Sequence, residues 1–66
     1  MKKTQYIVIY LNDMKEIFYA DGFTEAIICA MYFAITKGWD KRIKYITDEY
    51  DVTIKDIEYP KFEFSK

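Results

Sequence analysis

A chain of 66 residues with a net charge of −1 has room for one modest core and one domain, spanning residues 1–66. Its 52% apolar and 20% aromatic content argues against disorder except at the ends, and the lack of histidine removes the commonest general base and the commonest transition-metal ligand. The single cysteine, Cys29, cannot close an internal disulfide, which points to a reducing, cytoplasmic setting.

Residues 4–11 predict a strand with apolar groups on both faces: Ile7, Ile9 and Leu11 on one, Tyr6, Val8 and Tyr10 on the other. Such a strand suits the middle of a sheet. The basic residues Lys2 and Lys3 precede it, but the apolar stretch is short and no small-residue cleavage site follows. It reads as a strand and not as a signal peptide, and no segment has the length of a membrane span. Asn12-Asp13 supplies turn chemistry, so residues 15–20, with Ile17 and Tyr19 alternating against Glu16 and Phe18, complete a hairpin. Asp21-Gly22 then breaks the strand. Thr24 is the expected helix cap, Glu25 suits the positive end of the helix dipole, and Phe23 is placed to staple onto Ile28.

The helix is expected over residues 25–37, ending at Gly38, where glycine takes the left-handed conformation at little cost. It contains ten consecutive apolar residues, 26–35, leaving almost no charged face. At 100° per residue, Ile27, Ile28, Met31, Tyr32 and Ile35 form a bulky arc that is expected to face the sheet. Ala26, Ala30 and Ala34 form a smooth neighbouring stripe where another backbone could approach. Phe33 stands opposite the arc, and Trp39 follows the helix end. On this reading Phe33, Ala30, Ala34 and Trp39 are candidate partner-binding residues, and Cys29 is a small buried hydrophobe.

Residues 42–50 fit two patterns: Ile43, Ile46 and Tyr50 a short helix, Ile43 and Tyr45 a strand. The strand is preferred. Residues 48–51 then resemble a four-residue hairpin loop, and a last strand starts at Val52 and continues towards Tyr59, with a bulge near Asp56 and a stop at Pro60. The alternation of Phe62 and Phe64 in the tail would suit addition to a sheet edge, in this chain or another. The expected fold is therefore α+β, a ββαββ chain whose small antiparallel sheet is packed on one face by a single helix.

No nucleophile, glycine-rich phosphate loop or metal motif emerges, and no cofactor is expected. Asp48, Glu49 and Asp51 could gather round a divalent cation, but the loop lacks EF-hand spacing, so a solvated turn is the better reading. With Asp56, Glu58 and Glu63 the same acids could instead contact a basic protein surface. Lys37, Lys41, Arg42 and Lys44 around Trp39 and Tyr45 give the opposite option, cations for phosphates beside rings for bases. No helix carries the Arg, Asn or Gln needed to read base edges.

The single compact domain, the Ile/Lys/Tyr-rich vocabulary, and the layout from Tyr6-Ile7-Val8-Ile9-Tyr10 through Thr24-Glu25-Ala26-Ile27 to Val52-Thr53-Ile54 resemble, in general type, small accessory proteins of bacteriophages and mobile elements. That resemblance implies a non-catalytic binder, often an inhibitor of a host defence protein such as a CRISPR effector. The expected partner is a protein, with a homodimer as a further expectation and no membrane. The alternative is a small homodimeric nucleic-acid-binding accessory protein.

Overall fold

The structure, a computed structural model, describes residues 2–60. Its elements run β1 (Thr4–Tyr10), β2 (Lys15–Ala20), α1 (Phe23–Lys37), β3 (Ile43–Asp48) and β4 (Thr53–Ile54). All strand pairs are antiparallel, in the order β2-β1-β3-β4, and α1 lies on one face of the sheet. This is the expected ββαββ, α+β arrangement, with β1 central and residues 43–48 extended. No helix among the described residues is long and apolar enough to cross a membrane.

Tight local chemistry sets the turns. Asp13 takes a left-handed conformation (φ 69°) between β1 and β2, and the Asn12 side chain accepts the Met14 N–H at 3.0 Å. Between β3 and β4, Asp48 Oδ1 accepts the N–H groups of Tyr50 and Val52 at 2.8 and 2.9 Å, and Asp51 is left-handed (φ 68°). β4 is shorter than expected: pairing stops after Ile54, so no bulge forms at Asp56. The ladder irregularity lies between β1 and β3, where Ile9 pairs with Tyr45 but Tyr10 pairs with Ile43, leaving Lys44 as the extra residue. This shift lets both Ile43 and Ile46 turn into the core. Residues 61–66, including the alternating tail, lie outside the described residues.

The helix ends as expected and begins differently. Gly38 is left-handed (φ 77°), and the N–H groups of Gly38 and Trp39 reach the carbonyls of Ile35 and Ala34 at 3.1 and 2.8 Å. At the other end Thr24 is not the cap. The cap position falls on extended Gly22, with no side-chain cap, and Phe23 is already helical. Glu25 compensates by reaching back to accept the Asp21 N–H at 2.7 Å. That hydrogen bond, and then Lys3 at 3.5 Å, hold the Glu25 carboxyl below its ordinary pKa.

The helix is rotated from the expected orientation, so that Ile27 and Met31 of the bulky arc meet the sheet as expected but the rest of the arc does not. Ala26, Ala30 and Ala34 are all fully buried against the sheet, together with Ile27 and Met31. The rest of the bulky arc turns outward, leaving Tyr32 and Ile35 exposed and Ile28 half-buried. Tyr6 and Tyr10 of β1 point towards the helix and are buried, and the small alanine stripe lets the helix backbone come close to the Tyr10 ring. Tyr10 fixes the approach, its hydroxyl donating to the Ala30 carbonyl at 2.7 Å. Burial of both tyrosines pushes their hydroxyl pKa values up, most strongly for Tyr10.

Candidate functional site

One helix covers one face of a sheet, so the alternation of the strands leaves the other face to be filled from its own surface. The side chains opposite the helix are Gln5, Ile7 and Ile9 of β1, Lys15, Ile17 and Tyr19 of β2, Tyr45 and Thr47 of β3, and Thr53 of β4. The register arranges them in rows. Ile7 lies between Ile17 and Thr47, Ile9 between Lys15 and Tyr45, and Gln5 beside Tyr19. The hydroxyls of Thr47 and Thr53 meet at 3.0 Å. Rows of β-branched and aromatic side chains stabilise a pleated surface by cross-strand contact even with no layer above it.

The face is apolar without being dry. Ile17 and Tyr19 keep 46% and 62% of their surface exposed, whereas Ile7, Ile9 and Tyr45 are half-buried by their neighbours. Lys15 is the one charged side chain in these rows. Tyrosine and isoleucine offer large, stiff contact area, and tyrosine keeps a polar tip that tolerates water before association.

The residues predicted for partner binding lie elsewhere and are occupied. Ala30 and Ala34 sit beneath the helix, where no partner reaches them in the folded chain. Phe33 meets Phe18 edge-on at 5.7 Å and Trp39 at the same distance, and Trp39 in turn meets Tyr10 at 5.4 Å. These four rings close the β2 flank and the end of the helix, so Phe33 and Trp39 are packing residues of this fold. In the acidic loop, Asp48 staples the turn, Glu49 accepts the Gln5 N–H at 3.0 Å, and Asp51 supplies the left-handed residue. Tyr50, 71% exposed, is what the loop presents to solvent. Among the described residues no group of three or more His, Cys, Asp or Glu is placed to hold a metal ion.

Two of the four cations of the basic segment are matched with acids. Arg42 binds Asp40 through its guanidinium at 2.7 Å and its backbone N–H at 3.0 Å, and this hydrogen bonding lowers the Asp40 carboxyl to about 2. Lys44 pairs with Asp13 across the sheet. Lys37 lies 5.5 Å from the centre of the Phe33 ring. Lys41 is exposed beside these pairs, so the patch offers far less free positive charge than its sequence implies.

Sequence reasoning missed Ile7, Ile9, Ile17, Tyr19 and Tyr45 as a group. The available signal was arithmetic of layers: four strands and one helix leave a sheet face uncovered, and both strands of the first hairpin carry apolar residues on both sides. Comparison with known proteins finds no matching family model, no matching curated protein and no matching solved structure.

Proposed function

We propose that this chain is a non-catalytic protein-binding module that meets its target through the open face of the sheet, with Ile17 and Tyr19 at the centre of the contact. The observation that supports this reading is the row structure of that face: five isoleucine and tyrosine side chains held rigidly by the strands, with Lys15 as the only charge among them. A rigid apolar and aromatic surface loses little conformational freedom on binding, which favours recognition of another folded protein. In the setting that the phage-type resemblance implies, the target is a host defence protein such as a CRISPR effector, and binding inhibits it by occupying a working surface. The nucleic-acid reading is weaker because Asp40 and Asp13 already pair two of its four cations.

The test is capture from host lysate with tagged wild type, an Ile17→Ser/Tyr19→Ser variant and a Lys37→Ala/Lys41→Ala variant. The proposal expects a stoichiometric protein recovered by wild type and by the lysine variant and lost with the open-face variant. Loss with the lysine variant alone, together with binding that falls steeply as salt rises, would replace it with the nucleic-acid reading.

A further inference from the structure

The two edges of the sheet are built differently. β4, at one edge, pairs through two residues only, and the segment after it folds back so that the Tyr59 hydroxyl accepts the Ile43 N–H at 2.8 Å. Short strands of this kind are a usual protection against unwanted pairing. β2, at the other edge, is six residues long, pairs with β1 in an unbroken register and contains no proline. Among the described residues nothing pairs with its outer side.

Which backbone groups point outward follows from the ladder. Tyr10 donates its N–H to the Met14 carbonyl at 3.0 Å, so the closely bonded pairs beyond it are Val8 with Glu16, Tyr6 with Phe18 and Thr4 with Ala20. The N–H and C=O groups of Lys15, Ile17 and Tyr19 therefore face away from β1. Their side chains are the β2 share of the open face.

We infer that β2 pairs with β2 of a second copy of this chain, antiparallel about a two-fold axis at Ile17, to give a continuous eight-stranded sheet. The strand is self-complementary in that register. Ile17 lies opposite Ile17 of the second copy, and each Lys15 lies opposite the other copy's Tyr19, so an ammonium group meets an aromatic ring at both ends and no like charges face each other. Moving the axis to Lys15 sets lysine against lysine, and moving it to Tyr19 sets Ile17 against Asp21. The three outward residues of each strand then exchange six backbone hydrogen bonds. Pairing uses the backbone edge of β2 and does not cover the open face, so it is compatible with target binding, and its readout, the oligomeric state of the purified chain, needs no target.

Sedimentation equilibrium across the micromolar range tests it, with two variants that leave the β1–β2 ladder intact. Ile17→Pro deletes an outward N–H that β1 does not use, and Ile17→Lys sets two ammonium groups across the axis. The expected result is a wild-type dimer whose dissociation constant rises by about tenfold or more in either variant, with unchanged circular dichroism. Amide exchange of wild type at Lys15, Ile17 and Tyr19 should slow as concentration rises. A wild type that stays monomeric, or a dimer indifferent to both substitutions, overturns the inference. So does protection of those three amides at concentrations where the chain is monomeric, which would assign the edge to residues 61–66 of the same chain.

Discussion

The two faces of the sheet draw on the same residue types and put them to different use. On the helix side, Tyr6, Val8 and Tyr10 of β1 are buried in one core with Ala26, Ala30 and Ala34, and the Tyr10 hydroxyl bonds to the Ala30 carbonyl. On the far side, Ile7 and Ile9 of the same strand lie beside Ile17, Tyr19 and Tyr45, with no helix or strand of the described residues above them. Side-chain chemistry alone does not separate the two sets. What separates them is the presence of one helix, whose alanine stripe is buried in the core and whose Ala30 carbonyl takes the Tyr10 hydroxyl. The face under the helix holds the core, and the other face is the one proposed to bind the target.

That contrast can be broken most severely at Tyr10. Tyr10→Ala should cost about 3–5 kcal/mol in chemical denaturation, because it empties the centre of the core and removes the bond to Ala30. Ala34→Leu should cost about 1–3 kcal/mol by forcing the helix off the sheet, although leucine is a good helix former. Gly38→Ala should cost about 1 kcal/mol, since the left-handed backbone there (φ 77°) suits glycine and not alanine.

Alkaline titration sharpens the comparison further. Burial raises the hydroxyl pKa of Tyr6 and Tyr10 above the ordinary 10.0, so the folded chain keeps protons that the unfolded chain releases. The stability this contributes is fully present below pH 10 and is lost as pH rises above it. Tyrosinate absorbance should show Tyr6 and Tyr10 ionising only as circular dichroism reports unfolding. The smallest stability effect belongs to the open face, where Ile17→Ser should stay within about 0.5 kcal/mol of wild type at concentrations where the chain is monomeric.

The element order was legible because each element carries its own local signal: alternation in residues 4–10 and 15–20, an apolar run closed by Gly38, and Asn12-Asp13 at the first turn. Rotation of the helix was not legible. Hydrophobicity gave the bulky arc the better claim on the sheet, but the outcome involves Tyr10, twenty residues away, whose hydroxyl bonds the Ala30 carbonyl on the alanine side of the helix. The same tertiary dependence governs the residues singled out for partner binding. Phe33 looked surplus to a helix read alone, and only the position of Phe18 and Trp39 shows that it closes a cluster of rings. The charged segments misled for a related reason: Arg42 and Lys44 find Asp40 and Asp13, the second of them far away in sequence. Helix capping was a local misreading, since Glu25 rather than Thr24 ties the first turn to the preceding residue.

The most direct test of the division between the faces is to measure target capture and unfolding together in the Ile17→Ser/Tyr19→Ser variant. Loss of capture with an unfolding midpoint close to that of wild type is the predicted result. Capture undiminished by a variant that is still fully folded would contradict the assignment of the open face as the binding surface.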